Sequence, residues 1–213
     1  MGTETRTFPT RGGKAPITDK RLLRGARTRE TVLRRAIDIA SLEGLDNVSF
    51  GRLATDTGMS KAGIQTLFRT KETLQLATLD HARDMFIDAV IRPSRTAPAG
   101  VERLRSLIEH WITYAETPLF EGGCLLVANM AHFDSKPGPV RDAVFRIQRE
   151  WLDVIERELR HAVARHETAE LDVDLAVFQI DAVLRAADTA LRLGDDGVVA
   201  KVRRTVEDLL RTP

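Results

Sequence analysis

Residues 58–68 read GMSKAGIQTLF and combine one lysine, one glutamine and two hydroxyl side chains with small neighbours. Lysine and glutamine can hydrogen-bond to base edges or to phosphate oxygens, and a helix with little bulk on its outer face fits the major groove of DNA. The residues that would meet these demands are Lys61, Ala62, Gly63, Gln65 and Thr66. The same composition also suits a generic corner between two short helices, so the surrounding sequence has to decide.

Ser49 and Ser60 stand where the N-caps of two short helices would be, and Gly58 stands where the turn between them favours a positive φ. Two capped helices joined by such a turn and packed on a longer first helix form a helix-turn-helix unit, here at about residues 50–69. Capped N-termini also direct backbone N–H groups outward, where phosphates can accept them. The pattern therefore predicts a DNA-binding surface.

Formal charge is segregated along the chain, although the whole chain carries only +1. Residues 1–27 carry +5, residues 28–71 carry +2 and residues 72–213 carry −6. A basic front and an acidic body are typical of a protein whose N-terminal part meets a polyanion. Residues 1–24 lack a core-forming pattern, and we expect them to form a disordered basic arm.

Enzymatic chemistry has little support in the sequence. The chain has no glycine-rich phosphate loop and no nucleophile elbow. His161 and His166 stand five positions apart, whereas two metal ligands on one helix face stand four apart. We therefore expect no catalytic residues, no metal and no cofactor. A helical adaptor or an enzyme without DNA binding is kept as an alternative of another class.

Cys124 is the single cysteine, which excludes an intrachain disulfide and fits a reducing compartment. No apolar run approaches the roughly 20 residues of a membrane-spanning helix. No apolar stretch follows the basic N-terminal residues in the manner of a secretory signal. We expect a cytoplasmic protein without membrane contact.

Apolar residues recur at helical spacing along almost the whole chain after residue 24, and no segment alternates like a strand. This pattern predicts an all-α fold of nine helices, with a small front bundle at residues 25–87 and a larger helical body at residues 88–213. Gly44 is placed to stop the first helix, and we expect the fourth helix to end before Pro93.

Residues 28–78 resemble the N-terminal domain of the tetracycline-repressor (TetR/AcrR) family of transcription regulators. They read TRETVLRRAIDIASLEGLDNVSFGRLATDTGMSKAGIQTLFRTKETLQLAT. The first-helix pattern, the stop at Gly44, the Ser-Phe-x-x-Leu-Ala entry, the Gly-Met-Ser-Lys turn and the Phe-x-Thr-Lys-Glu-x-Leu segment match in order and spacing. Residues 122–144, GGCLLVANMAHFDSKPGPVRDAV, resemble a C-terminal domain found in one branch of the family.

The resemblance also assigns contacts to the DNA backbone. Lys71 resembles the family lysine that contacts phosphate, and Arg52 is a second candidate that a solvated helix face explains almost as well. Gln65 stands where the family usually has a phosphate-binding tyrosine, and Leu67 where it usually has an aromatic residue or histidine. Gln65 can donate to a phosphate or read an adenine, and the sequence leaves both roles open.

For the body, the resemblance implies an effector pocket enclosed by the fourth to eighth helices and a homodimer built by the last two helices. The protein would be a repressor that leaves a palindromic double-stranded DNA operator when a small molecule binds. The candidate pocket residues are His110, Trp111, Tyr114, Cys124, Met130, Phe133, Trp151 and Phe178. The small residues Ala182, Ala186 and Ala190 suit a dimer contact or, alternatively, packing within the chain.

Cys124 supports a second mode of regulation. Related regulators that sense electrophiles or oxidants have a cysteine in a similar Gly-Cys-Leu setting, so a thiol-based redox repressor is the alternative to ligand binding. A helix N-terminus lowers the pKa of a thiol and would favour reactivity. The apolar residues after Cys124 favour instead a buried packing role.

Overall fold

The computed structural model describes the backbone of residues 20–211 and the side chains of residues 23–211, and over that range the chain is all-α. The front comprises α1 (Lys20–Glu43), a 3₁₀ turn (Leu45–Asn47), α2 (Phe50–Thr57) and α3 (Lys61–Phe68). The body comprises α4 (Lys71–Phe86), which the sequence prediction places in the front bundle, together with α5 (Val101–Glu116), α6 (Leu125–Phe133), α7 (Pro139–Ala164), α8 (Val173–Arg192) and α9 (Val198–Leu209). The nine predicted helices are all present among the described residues.

Local sequence signals start and stop the front helices as predicted. Ser49 and Ser60 each accept a hydrogen bond from the backbone N–H three residues later, at 3.2 Å and 3.1 Å. Thr70 caps α4 in the same way, at 3.1 Å. Gly44 and Gly58 adopt φ values of 91° and 67°, which L-residues with a Cβ rarely adopt. These caps fix the entry angles of α2, α3 and α4.

The first helix begins earlier than the sequence predicts. Residues 20–24 belong to α1, whereas the sequence assigns them to the disordered arm. The reason is compositional, since lysine, arginine and leucine are good helix formers and extend the pattern of α1 toward its N-terminus. The rest of the predicted arm, residues 1–19, lies outside the described residues.

The fourth helix does not end before Pro93, contrary to the sequence prediction. It continues through a π-helical stretch (Ile87–Ile91) into one further helical turn (Arg92–Ser94). The Arg92 N–H donates to the Ile87 carbonyl, five residues back. The wider π turn shifts the hydrogen-bond register just before a residue without an N–H, so the chain passes the proline without breaking the helix.

A shared hydrophobic core joins the front and the body. Leu53, Ile64 and Phe68 of α2 and α3 pack beneath α1 and are at most 1 % exposed. The helix α1 also packs against α4 and α6, so it lies between the helix-turn-helix and the body. None of the described helices is long and apolar enough to cross a membrane.

Candidate nucleic-acid interface and ligand pocket

The outer face of α3 carries all five residues that the sequence predicts as the groove-facing set. Lys61, Ala62, Gly63, Gln65 and Thr66 are exposed. The opposite face of α3, with Ile64 and Phe68, is buried in the shared core, where α3 packs against α2 and α4. The structure thus separates a packing face from an outward face with little bulk, as entry into a major groove requires.

Gly63 has a steric role within this face. A Cβ atom on Gly63 would stand 2.9 Å from the Ser60 hydroxyl oxygen, the atom that accepts the Gly63 N–H. A larger residue would therefore push away the side chain that caps α3. The glycine keeps the cap intact and keeps the start of the helix slim.

The two cations predicted to meet the DNA backbone are engaged within the chain. Arg52 forms a two-pronged pair with Glu43 at 2.9 and 3.2 Å, and its Nε donates to Asp56 at 3.3 Å. The Lys71 ammonium donates to the carbonyl oxygen of Asp46. A phosphate contact by either side chain would have to share or exchange these partners.

Arg69 is a cation of this region that the sequence reading missed. It is exposed, follows α3 directly and has a φ of 60°, an uncommon conformation for a residue with a Cβ. Among the residues that the structure describes, neither Arg69 nor Lys61 has an ion-pair partner. The position of Arg69 directly after α3 could have suggested a contact with DNA, but the sequence gives no sign of its backbone conformation.

A largely apolar cavity lies in the body between α4, α5, α6, α7 and α8. Its free space, including the open mouth, is about 720 Å³. Its aromatic wall is ordered edge to face, with ring centroids 5.2 Å apart for Phe86 and Tyr114 and 5.3 Å apart for Phe86 and Trp151. Such contacts hold the rings in fixed orientations, as a preformed small-molecule site requires.

Four of the eight predicted pocket residues line this cavity, namely Trp111, Tyr114, Cys124 and Trp151. The other four lie elsewhere. His110 turns to the surface of α5, where its Nδ1 lies 2.7 Å from the Ser106 carbonyl oxygen. Phe178 points outward from α8 and is 65 % exposed.

Met130 and Phe133 are the remaining two predicted pocket residues, and they lie on α6 three and six residues beyond Val127, the last residue of that helix that lines the cavity. Phe133 is buried beside His132 and not in the cavity wall. Side-chain bulk alone does not show which way a residue faces on a helix, and this explains the four misplaced residues.

The polar groups of the cavity were not predicted. Gln148 donates to one oxygen of Asp181 at 2.8 Å, and Arg185 pairs with the other oxygen at 2.7 Å. Arg83, also in the wall, pairs with Glu150. Within the described part of the chain, the buried Nε–H of Arg185 has no hydrogen-bond acceptor. The i, i+4 spacing of Asp181 and Arg185 was a usable signal, since such pairs meet on one helix face.

Cys124 stands at the N-terminal end of α6, directly before Leu125. Burial, and then the nearby Asp188 carboxylate, raises the pKa of Cys124. Burial also raises the pKa of Asp188 and raises that of Tyr114 well above its usual value. Burial therefore outweighs the helix N-terminus at this position, and the thiol lacks the low pKa that a redox sensor uses.

Several solved structures share this fold. A TetR transcriptional regulator from Chloroflexus aurantiacus is 23 % identical with a TM-score of 0.75, covering 90 % of this chain and 100 % of that one. A TetR-family regulator from Streptomyces coelicolor is 24 % identical with a TM-score of 0.74, covering 87 % and 95 %. AibR, solved in complex with isovaleryl coenzyme A and operator DNA, is 18 % identical with a TM-score of 0.70, covering 87 % and 99 %.

The family assignment rests on the body of the chain. No curated protein matches the chain at the level of sequence. The tetracyclin repressor-like C-terminal domain, in contrast, matches residues 100–206, the span that contains α5 to α8 and most of α9. This match covers half of the chain and comes in addition to the helix-turn-helix at the front. The chain therefore belongs to the TetR family of transcriptional regulators.

Proposed function

We propose that this regulator binds a double-stranded DNA operator as a homodimer and releases it when an apolar small molecule enters the cavity of the body. One observation carries the proposal: the cavity lies between helices of which two, α4 and α6, also pack on α1 of the helix-turn-helix unit. AibR, a similar structure solved in complex with isovaleryl coenzyme A and operator DNA, supports the combination of a small-molecule effector with DNA binding.

The DNA-binding side of the proposal rests on α3. Its exposed lysine and glutamine would meet base edges, while Ser49, Ser60, Arg52 and Lys71 would hold the phosphates on either side. Gln65 is the residue we assign to base reading, because it projects from the outward face and is not fixed by a described contact. The contacts of Arg52 and Lys71 within the chain would be exchanged for phosphate.

The dimer side rests on an apolar seam along the outer face of α8 and the residue that follows it, formed by Leu175, Phe178, Ala182, Ala186 and Leu193. These residues recur every three, four or seven positions, so they form one stripe. Leu175, Phe178 and Leu193 are 52 %, 65 % and 83 % exposed. Large apolar side chains concentrated on one exposed helix face are typical of a protein–protein interface, and the alanines let a second helix approach closely.

The effector that we propose is an uncharged apolar molecule with a hydrogen-bond acceptor. Each charge in the cavity wall already faces an opposite one, so an ionised ligand would bring an unpaired charge into a largely apolar space. The Arg185 Nε–H offers a donor without an acceptor in the described chain. Phenylacetamide and phenylacetate form a matched neutral and ionised pair, and we expect only the neutral member to raise the melting temperature.

Duplexes selected by the purified protein from a random pool provide the operator for the decisive experiment. Fluorescence anisotropy should give sequence-specific binding with two protomers per site, and the affinity should fall steeply between 50 and 200 mM salt through counterion release. Compounds that raise the melting temperature should then displace this duplex. Failure to enrich any sequence would overturn the DNA-binding assignment, and stabilising compounds that leave the complex intact would overturn the ligand response.

The redox alternative through Cys124 has weaker support. The thiol lines the cavity, but burial raises its pKa, and Cys124 is the single cysteine of the chain. A disulfide would therefore need a thiol from outside the chain.

A further inference from the structure

The peptide groups of Leu45 are held from two sides by the side-chain amides of two different helices. The Leu45 N–H donates to Oδ1 of Asn129 on α6 at 2.7 Å, and Nε2 of Gln75 on α4 donates to the Leu45 carbonyl oxygen at 2.9 Å. Leu45 and Asn129 are 0 % exposed and Gln75 is 6 % exposed. We call Gln75 and Asn129, with the Leu45 backbone between them, the amide clamp.

Each amide of the clamp lies one helical turn from the cavity wall. Gln75 precedes Leu79, the first lining residue of α4, by four positions, and Asn129 follows Leu125, a lining residue of α6, by four. Four residues in a helix span about 6 Å and lie on one face. Because a hydrogen-bonded helix moves as a rigid rod, a displacement at the wall reaches the clamp.

Asn129 has no spare hydrogen-bonding donor with which to absorb such a displacement. Its Nδ2 donates to the Ala40 carbonyl oxygen at 3.0 Å and to the Leu125 carbonyl oxygen at 2.8 Å. The side chain thus joins the end of α1 and the turn before α2 to its own helix. Any relative shift of α6 leaves a buried polar group unpaired, and such groups are costly in a protein interior.

The segment held by the clamp sets the direction of the helix-turn-helix. Leu45 lies in the 3₁₀ turn between α1 and α2, and the Ser49 cap of α2 follows four residues later. The turn has further described anchors to the body, since the Asp46 carboxylate accepts from His132 and Lys136 at 2.6 and 2.7 Å and the Asp46 carbonyl oxygen accepts from Lys71 on α4. These bonds lie at the exposed surface, so the buried clamp is the more rigid connection.

We propose that the amide clamp is the element through which occupation of the cavity changes operator affinity. Both hydrogen bonds of the clamp can form only while α4 and α6 keep their present separation at Leu45. A molecule that separates these helices breaks one of the two side-chain hydrogen bonds to the Leu45 backbone and releases the turn that orients α2 and α3. The inference rests on the proposed function, because it needs both a cavity ligand and DNA binding, and it names Gln75 and Asn129 as the positioning residues of that response.

A covalent probe tests the clamp without knowledge of the natural ligand. Cys124 is the single cysteine and lines the cavity, so benzyl methanethiosulfonate at pH 9 places a benzylthio group there, with methanesulfinate as the leaving group. Mass spectrometry gives the extent of labelling. Ala82→Phe, which introduces a ring from α4, is the second probe should the buried thiol resist modification.

Three variants are compared with the parent chain under each probe. Gln75→Met removes the donor to the Leu45 carbonyl, which still accepts from the Val48 N–H at 3.2 Å. Asn129→Leu removes the other side of the clamp. Thr78→Val is the matched control, because Thr78 is equally buried on α4 but bonds only to Leu74 of its own helix, at 2.8 Å.

Operator affinity and hydrogen exchange of residues 44–48 are the two measurements. In the parent chain and in Thr78→Val, the probe should weaken operator binding roughly tenfold and speed exchange of the Leu45 amide. In Gln75→Met and Asn129→Leu the probe effect should fall below about threefold. An equal probe effect in all four chains, or unchanged exchange at residues 44–48 in the parent chain, would overturn the clamp. Absence of any operator for the unlabelled chain would instead overturn the proposed function.

Discussion

Gly122 lies so close to Ser41 that a Cβ atom on Gly122 would stand 2.1 Å from the carbonyl carbon of Ser41. The contact is also bonded, since the Gly122 N–H donates to the Ser41 hydroxyl at 2.9 Å. The loop that carries Phe120 and Cys124 of the cavity therefore rests directly on the backbone of α1. This is a second connection between cavity and helix-turn-helix, made by contact instead of side-chain amides.

Gly122→Ala should destabilise the protein. The added methyl group cannot be accommodated by rotating a neighbour, because the nearest atoms belong to the backbone. We expect a loss of about 1–3 kcal/mol in the free energy of unfolding, as in other overpacked interiors, measured by urea denaturation. Gly51→Ala is the control, since among the described residues no atom beyond its chain neighbours and the backbone of α2 lies within 4 Å of the new methyl group. Equal denaturation midpoints for the two variants would contradict the close contact.

Ala186→Arg should convert the protein to a monomer. The substitution places a charged, long side chain in the middle of the apolar seam, where a second α8 would have to cover it without a partner. Light scattering after size exclusion measures the mass directly. Ala131→Arg adds the same charge at an exposed position of α6, outside the seam, and should leave the dimer intact. A parent chain that is itself monomeric at micromolar concentration would exclude the dimer.

Gln65→Ala and Lys71→Ala should affect operator binding in different ways. Loss of a base contact should change which substitutions in the operator are tolerated, at a cost of about 1–3 kcal/mol for the preferred base. Loss of a phosphate contact should weaken all sequences alike and lower the salt dependence by about one counterion. Binding to a library of operator variants separates the two. The same uniform loss for both variants would show that Gln65 contacts the backbone.

Sequence signals that act between near neighbours predicted the fold well. The caps at Ser49 and Ser60, the turn at Gly58 and the end of α1 at Gly44 depend on residues within one turn of each other. The course of the chain past Pro93 was mispredicted because the π-helical stretch before it has no distinctive sequence pattern. The start of α1 was misplaced because a basic, leucine-containing segment suits a helix as well as an arm.

The site could be predicted only where a residue type has a single probable environment. Large aromatic residues on the inner faces of helices were found, whereas outward residues of similar size, such as Phe178, were not distinguished from them. The amide clamp could not be found, because the partners of Leu45 are 30 and 84 positions away and are ordinary amides in the sequence. Long-range hydrogen bonds of this kind leave no local periodicity.

Asp46 should make stability depend on pH in acid. Its hydrogen bonds to Lys136 and then to His132 lower the pKa of its carboxyl from 3.8 to about 2. The charged form is therefore favoured in the folded state, and the stabilisation is complete above about pH 4 and is lost as the pH falls through about 2. The side chain is about half exposed, so the effect should stay below about 1 kcal/mol.

Denaturation of the parent chain and of Asp46→Asn between pH 2 and 6 measures this contribution. The two stability curves should differ at pH 6 and converge toward pH 2. If the two free energies of unfolding differ by the same amount over the whole pH range, Asp46→Asn changes the packing of the side chain and does not remove an ion pair.

Cys124 should react slowly in the native protein. Its pKa is raised, first by burial and then by the Asp188 carboxylate, so little thiolate is present near pH 7. Alkylation by iodoacetamide at pH 7.5 should be at least about tenfold slower than for an unfolded chain, because the thiolate is the nucleophile. The rate should rise with pH beyond 9.

Asp188→Asn should speed the reaction, because it removes the negative charge near the thiol. The Cys124 N–H donates to the Asp188 carboxylate at 3.4 Å, and the amide oxygen of an asparagine can accept the same hydrogen bond. Rapid alkylation of the parent chain at pH 7.5 that also abolishes operator binding would restore the redox mechanism. Slow alkylation would leave Cys124 as a neutral part of the cavity wall.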